Sequence, residues 1–281
     1  MRIPVFLSIA ALLCSCNRTA PAETEREARQ SVGFKAAAYN VQVSRNGTAG
    51  EIGEALKAHD IDIVCFSEAP GGNWTREVAD VLGLGHVVVG RYTTAGHDDK
   101  FKSIASRTPL YDYEEVLMAD TLHTATKAKT KIGGKEISIY SVHFPYGWRD
   151  QAHIDETTGK ITAFINYLRE RQSEEISILM GDFNFIPTYA EPANDSFPEK
   201  RNDYYNRFLE IGLDVSWKEL GVDITERNTH NAFKPEDEGS GKMIDHIMYN
   251  PERLSAIEGG IIEMEKPLAD HKPVWASFEL K

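Results

Sequence analysis

Short segments with β-strand character recur along almost the whole chain, and amphipathic segments of helical period lie between several of them. A sheet with an apolar face must bury that face against another layer. Gly133 and Gly134 separate two of the segments, which predicts an antiparallel hairpin. The pattern therefore predicts an α/β fold in which two packed sheets carry helices on their outer sides. The predicted strands are residues 34–41, 61–66, 86–92, 102–106, 111–118, 124–132, 136–143, 176–181, 243–249, 257–264 and 274–280, and the predicted helices are 51–59, 74–82, 161–171 and 204–211.

The amino terminus differs in composition from the rest of the chain. A basic residue at position 2 precedes an apolar run over residues 3–13, which is shorter than the roughly 20 residues that a membrane span needs. The run ends in Leu13-Cys14-Ser15-Cys16, which resembles a bacterial lipobox. We therefore predict that residues 1–16 are a lipoprotein signal peptide and that Cys16 carries the lipid. An ordinary cleaved signal peptide and a short buried segment are the alternatives.

The next residues predict a tether and a folded domain. Residues 17–31 are polar and charged with no apolar period, which predicts a flexible linker. Residues 32–281 are predicted to form the domain, which the lipid would hold at the cell envelope on the periplasmic or cell-surface side. Cys65 lies in an apolar run and is predicted to pack as a small buried side chain.

The charge balance bears on the substrate. The formal net charge is −12 at pH 7, whereas proteins that bind nucleic acid tightly usually carry a basic patch or stripe. The balance therefore disfavours a processive or high-affinity nuclease. It does not exclude a nuclease, because bound cations can offset local carboxylates.

Polar residues follow or precede several predicted strands, where α/β folds build their sites. Most are oxygen donors of the kind that Mg²⁺ prefers, and Mn²⁺ and Ca²⁺ accept the same donors. The histidines can bind phosphate oxygens or transfer protons, and a carboxylate can orient a histidine. Each residue alone is also explained as a turn residue, a cap or a solvated rim charge, so the prediction depends on the set. The set is Asn40, Glu68, His143, Asp182, Asn184, Asp245, Asp270 and His271.

The same residues lie in motifs that resemble, in order, those of the endonuclease/exonuclease/phosphatase family, also called DNase I-like. The resemblance covers residues 34–280. It implies a four-layer α/β sandwich, in which two mainly antiparallel sheets are flanked by helices and the site lies at one rim. The motifs are Tyr39-Asn40-Val41, Ser67-Glu68, residues 103–109, Val142-His143-Phe144, Gly181-Asp182-Phe183-Asn184, Ile244-Asp245-His246 and Asp270-His271-Lys272-Pro273-Val274.

The resemblance also implies roles. Glu68 would be the main Mg²⁺ ligand, with Asn40 in the same metal site, and Asp270 matches an acid that helps bind metal in some members. Asp182 and Asn184 match the pair that orients water or the leaving group and holds the phosphate.

The histidines have implied roles as well. His143 matches a contact to the scissile phosphate. His271 matches the catalytic histidine and Asp245 the carboxylate that orients it, and either Asp182 or His271 takes the proton from water. The chain departs from the family pattern at two neighbours of these groups, Ser67 and Ala269.

The substrate must be argued from the loops, because the family shares its metal core. Trp148 and Arg149, in the loop motif Tyr146-Gly147-Trp148-Arg149, follow His143 closely and can stack on a base or sugar or contact a lipid surface. Tyr92 is a further candidate for binding substrate. The favoured function is a metal-dependent phosphodiesterase or phosphatase that acts outside the cytoplasm on small or lipid-linked phosphoesters. A secreted DNase or RNase and a non-catalytic binding lipoprotein are the alternatives, and the oligomeric state stays open.

Overall fold

The computed structural model describes residues 33–146, 150–189, 204–234 and 242–281. Within these residues, one six-stranded sheet contains the first four strands and the last two. Its strands are β1 (Gly33–Asn40), β2 (Ile63–Ala69), β3 (His86–Val89), β4 (Phe101–Ser106), β11 (Leu254–Ile261) and β12 (Val274–Leu280). Their order across the sheet is β11-β12-β1-β2-β4-β3. Only the neighbours β1 and β2 run parallel; the other pairs in this sheet are antiparallel.

The second six-stranded sheet is built from the middle of the chain. Its strands are β5 (Tyr111–Leu117), β6 (Thr124–Ile132), β7 (Lys135–His143), β8 (Ile176–Asp182), β9 (Asp214–Val215) and β10 (Asp245–Tyr249), in the order β5-β6-β7-β8-β10-β9. The predicted hairpin at Gly133 and Gly134 joins β6 to β7. The neighbours β7 and β8 are parallel and the rest are antiparallel.

The two sheets pack face to face through their central strands. β1 and β2 of the first sheet contact β7 and β8 of the second. Ala36 and Ala38 place small side chains in this layer, which allows the sheets to approach closely. Cys65 on β2 is fully buried in the same core, which confirms its predicted packing role.

Helices cover the outer face of each sheet. They are α1 (Ala49–Lys57), α2 (Trp74–Leu82), α3 (Gln151–Arg169), α4 (Tyr204–Leu209) and α5 (Ser216–Glu219). Ile52 of α1 and Val78 of α2 are buried in a core that includes the outer side of β1 and β2. Phe144, which follows β7, meets Phe164 of α3 edge-on and stacks on Phe208 of α4. The resulting four layers confirm the predicted α/β sandwich.

Local sequence explains where the first helices begin and end. Thr48 caps α1, because its side chain accepts from the amide of Glu51 while the Glu51 carboxylate accepts from the amide of Thr48. Asn73 occupies the N-cap position of α2 without a side-chain capping bond. Gly83 ends α2 in the left-handed conformation that favours glycine.

Several elements differ from the sequence prediction; β2, for example, covers Ile63–Ala69 rather than 61–66. α3 begins at Gln151 rather than residue 161, because its first turns are mostly exposed and show no apolar period, while Asp150 caps them. β3 ends at Val89 rather than residue 92, and β11 covers Leu254–Ile261 rather than 257–264. The short elements β9 and α5 were not predicted. In the described part of the chain, no helix has the length and apolar character needed to cross a membrane.

Candidate active site

The carboxyl ends of the central strands bring the predicted polar residues to one rim of the sandwich. Because β1 and β2 are parallel, as are β7 and β8, each pair ends at the same edge of its sheet. The register pairs Asn40 with Ser67 and His143 with Asp182. Asp245 opens β10 and pairs with Asp182 from the other side. Residues of both sheets thereby line one cavity of about 230 Å³.

The structure brings together most of the residues predicted for the site. Asp245 is fully buried behind the cavity wall, in contact with His271. Those that line the cavity are Asn40, Glu68, His143, Asp182, Asn184, Asp270 and His271.

Two of these residues, Glu68 and Asn184, have left-handed backbone conformations. Glu68 has φ of 52° at an irregularity in the pairing of β2 with β4, and Asn184 also has φ of 52°. Left-handed conformations are uncommon for residues other than glycine and often occur at functional sites. Gly181 approaches β7 so closely that a Cβ atom would lie 2.0 Å from the Val142 carbonyl oxygen. This contact explains the glycine of the Gly-Asp-Phe-Asn motif.

Asp182 is the centre of the hydrogen-bond network. Asn40 Nδ2 donates to Oδ2 at 3.1 Å, and the Asn184 amide donates to Oδ1 at 2.9 Å. The Nε2 atoms of His143 and His271 lie 3.5 and 3.7 Å from Oδ2. Burial raises the pKa of Asp182, and the nearby histidine His271 opposes that effect. The carboxylate is therefore a restrained acceptor facing two imidazoles.

His271 is held by a buried carboxylate. Its Nδ1 lies 2.8 Å from Asp245 Oδ2, so Nδ1 carries the proton and Nε2 is directed towards Asp182. Burial alone would lower the pKa of His271, but the charges of Asp245 and Asp182 raise it to about 10. This carboxylate–histidine pair can stabilise an imidazolium and fix its orientation.

His143 has the opposite electrostatic character. Its side chain is 9% exposed, and its Nε2 lies 3.9 Å from Glu68 Oε1 as well as 3.5 Å from Asp182 Oδ2. Burial lowers its pKa to about 3, although Asp182 acts in the other direction. His143 is thus a neutral imidazole at pH 7, able to donate from one ring nitrogen.

Glu68 and Asp270 contribute carboxylate oxygens to the cavity wall. Glu68 Oε2 lies 2.8 Å from Lys100 Nζ, and Asp270 Oδ2 accepts from Gln42 Nε2 at 2.9 Å. Burial, and then the charges of Glu68 and Asp182, raise the pKa of Asp270 against the effect of His271. Neighbouring carboxylates repel one another, and a divalent cation with oxygen ligands relieves that repulsion.

Ser67, one of the departures from the family pattern, has a structural role. Its Oγ donates to the Val142 carbonyl oxygen at 2.8 Å and so joins the two sheets just below Glu68. Ala269, the other departure, is fully buried. Neither residue supplies a group to the cavity.

A buried histidine outside the cavity supports the turn that carries Asn184. His246 Nε2 donates to the Phe185 carbonyl oxygen at 2.9 Å, and Trp217 Nε1 donates to His246 Nδ1 at 3.1 Å. The Asn184 Nδ2 donates to the Phe144 carbonyl oxygen at 2.9 Å. These bonds hold the segment after β8 against the rim.

Of the residues proposed to bind substrate, the structure describes only Tyr92. The side chain of Tyr92 is not among those that line the cavity; its carbonyl oxygen accepts from Lys102 Nζ at 3.2 Å. Trp148 and Arg149 lie outside the described residues, as do Cys16, the segment 17–31 and residues 190–203.

Other cavity residues were missed, because they come from connections whose course only the tertiary structure defines. A histidine beside a strand end is the signal that would have indicated His123, and Tyr146 was noticed only as part of a loop motif. The missed residues are Thr94, Ala95, His97, Lys100, His123, Pro145 and His230.

The sequence matches the model of the Endonuclease/Exonuclease/phosphatase family over residues 37–271. The chain belongs to that family. Members of this family hydrolyse phosphoesters, and the match spans all eight residues predicted for the site. No curated protein sequence matches the chain.

Solved structures share the fold at low sequence identity. An endonuclease/exonuclease/phosphatase from Beutenbergia cavernae superimposes with a TM-score of 0.73 at 17% identity, covering 89% of this chain and 72% of that one. The 3′ phosphatase NExo from Neisseria, bound to a product DNA hairpin, gives 0.66 at 19% identity, with coverage of 86% and 98%. An AP endonuclease from Archaeoglobus fulgidus gives 0.65 at 19% identity, also with 86% and 98%.

Proposed function

We propose that this chain is a divalent-metal-dependent phosphoester hydrolase of the phosphodiesterase or phosphatase type. The observation that carries the proposal is the arrangement around Asp182. A restrained carboxylate faces two histidines of opposite electrostatic character, beside carboxylates that can hold a cation. Such a combination suits attack of water on phosphorus.

The metal would be held by Glu68, Asn40 and Asp270. Their oxygens are hard donors, and Mg²⁺ commonly takes one or two carboxylates together with water and substrate phosphate. When bound, the ion would neutralise charge on the phosphoryl oxygens. Mg²⁺ is our first choice, and Mn²⁺ and Ca²⁺ accept the same ligand type.

The side chains can then divide the proton transfers. Asp182 is fixed by Asn40 and the Asn184 amide, and it accepts the proton of the attacking water. As the oxygen–phosphorus bond forms, the bond to the leaving oxygen breaks. The pKa of His271 is raised to about 10, so its Nε2 is protonated and can donate to the negative charge that develops on the leaving oxygen. The Asp245 carboxylate offsets the positive charge of the imidazolium. The neutral His143 donates to a phosphoryl oxygen.

For the substrate, we favour small or lipid-linked phosphoesters. The supporting observation is the net charge of −12 without a basic run, which disfavours strong binding to a polyanionic backbone. Nucleic acid is the second candidate, because structures with the same fold include a 3′ phosphatase with a DNA hairpin and a protein with a single-stranded DNA product.

We also propose that the enzyme is anchored at the cell envelope through lipid on Cys16. The motif Leu13-Cys14-Ser15-Cys16 supports this proposal. Cys16→Ser should move the protein from the membrane to the soluble fraction, which fractionation and immunoblotting would measure. Persistent membrane association of the variant would refute the lipid anchor without affecting the proposed chemistry.

The activity is tested with the full chain purified in detergent. DNA, RNA and a panel of phosphomonoesters, phosphodiesters and phospholipids are incubated with Mg²⁺ or with EDTA. Asp182→Asn should lower kcat/KM by at least about 100-fold, because the proton acceptor is lost. Asp80→Asn, on the exposed side of α2, is the matched control and should behave as wild type.

The outcomes separate the candidates. Chelator-sensitive cleavage of small or lipid phosphoesters alone would support our substrate preference, and cleavage of DNA or RNA would replace it with a nuclease. Wild-type activity in Asp182→Asn would refute the mechanism. The absence of metal-dependent turnover on every substrate would favour a non-catalytic binding protein.

A further inference from the structure

His123 lines the cavity from the side of β6, and the mechanism above does not use it. It directly precedes β6 and its side chain is 11% exposed. Lys100 and Thr94 line the same cavity. The cavity thus has an acidic side around Asp182 and another side that offers hydrogen-bond donors.

The tautomer of His123 is fixed by a lysine of α3. Lys160 Nζ lies 3.4 Å from His123 Nδ1, 3.1 Å from Asp120 Oδ2 and 2.6 Å from Glu156 Oε1. These three neighbours can accept the three ammonium hydrogens. Because an ammonium group can only donate, Nδ1 must be the unprotonated nitrogen, and the ring proton lies on Nε2.

The main chain of His123 is fixed by the same cluster. Asp120 Oδ1 accepts from the amides of Leu122 and His123 at 2.9 and 3.0 Å. The Ala95 amide donates to the Leu122 carbonyl oxygen at 2.7 Å, which ties this turn to another cavity-lining segment. The imidazole therefore has both a defined tautomer and a defined position.

Its charge state is defined as well. Burial and then the adjacent Lys160 lower the pKa of His123 to about 4, against the opposing charge of Asp120. At pH 7 the ring is neutral. A histidine that only filled the core would not need a place in the cavity wall or a lysine that holds one nitrogen unprotonated.

We propose that His123 is a substrate-binding residue that donates its Nε2 hydrogen to a phosphoester oxygen, and that Lys160 is the positioning residue that sets its tautomer. This inference rests on the proposed function. Phosphate oxygens are the acceptors that the proposed function brings to this cavity. A neutral donor can bind them without forming an ion pair with the nearby carboxylates.

The test uses the full chain and three variants, His123→Ala, His123→Gln and Lys160→Met. Steady-state kinetics are measured on the phosphoester that wild type hydrolyses, and binding of inorganic phosphate is measured by calorimetry. His123→Ala should raise KM and weaken phosphate binding by at least about tenfold, because a hydrogen bond to a charged acceptor is lost. His123→Gln should recover part of this loss, since its amide can still donate.

Lys160→Met tests the positioning role separately. ¹⁵N NMR of the imidazole should show the wild-type ring protonated at Nε2 and a mixture of tautomers in the variant, accompanied by a higher KM. A wild-type tautomer and KM in Lys160→Met would overturn its role. Circular dichroism and thermal melting establish that each variant is folded.

Failure of this inference and failure of the proposed function give different results. If wild type turns over a phosphoester but folded His123→Ala keeps its KM and phosphate affinity, the inference is wrong and the function stands. If wild type hydrolyses nothing but binds phosphate through His123, the function is wrong and the inference stands. If it does neither, both are refuted.

Discussion

Acid should destabilise this fold measurably through His246. The ring is fully buried between Trp217, which donates to Nδ1, and the Phe185 carbonyl oxygen, which accepts from Nε2. In the neutral form both ring nitrogens are therefore hydrogen-bonded, Nδ1 as an acceptor and Nε2 as a donor. Protonation would turn that acceptor into a donor facing another donor, and the charge would lie in an apolar core.

The magnitude follows from the pKa difference between the folded and unfolded chain. Burial lowers the pKa of His246 from 6.5 to about 4, and the bond to Phe185 opposes this. Between these pH values the unfolded chain binds the proton and the native chain does not, so stability decreases as the pH falls. At roughly 1.4 kcal/mol per pKa unit, His246 removes about 3 kcal/mol between pH 7 and 4, of which about 2 kcal/mol is lost by pH 5.

The assay compares urea unfolding of wild type and His246→Gln at pH 7.5 and at pH 5. Because other groups titrate in both proteins, the informative quantity is the difference between their pH-dependent losses of unfolding free energy. That difference should be about 2 kcal/mol, with wild type losing more. Equal losses in the two proteins would refute the buried neutral histidine, whatever the absolute stability of the variant.

Four further substitutions test close packing, an ion pair and a helix cap. Gly181→Ala should lower the free energy of unfolding by at least about 3 kcal/mol or prevent folding, because the added Cβ would lie 2.0 Å from the Val142 carbonyl oxygen. By contrast, a Cβ added at Gly159 in α3 would have no atom within 4 Å, so Gly159→Ala should raise the free energy of unfolding by up to about 1 kcal/mol. Urea unfolding measures both variants. Similar free energies of unfolding for the two would contradict the steric argument. Lys127→Met should lower the free energy of unfolding by about 3 kcal/mol. The substitution removes the ammonium group that lies 2.8 Å from the half-buried Glu175 carboxylate and so leaves that carboxylate without its ion pair. An unchanged melting temperature would refute this. Thr48→Ala should cost about 1 kcal/mol through loss of the capping box, and a loss below about 0.3 kcal/mol would show that the cap contributes little.

Local sequence was sufficient where the signal was local. The strand ends at Asn40 and Asp182 were predictable to within one residue, because apolar runs define the strands and polar residues interrupt them at the rim. The α1 cap at Thr48 also has a local signal, because Glu51 follows it at the spacing of a capping box. The first turns of α3 were not, because they are mostly exposed and carry no apolar period.

The sequence alone determined the fold class, the order of the motifs and the candidate site residues, since these depend on residue type, local period and spacing along the chain. Only the tertiary structure decided which groups face one another. It placed Asp182 between His143 and His271, removed the Tyr92 side chain from the cavity wall and brought in His123. It also set the opposite pKa shifts of His143 and His271, because burial and nearby charge belong to the assembled site and not to either residue.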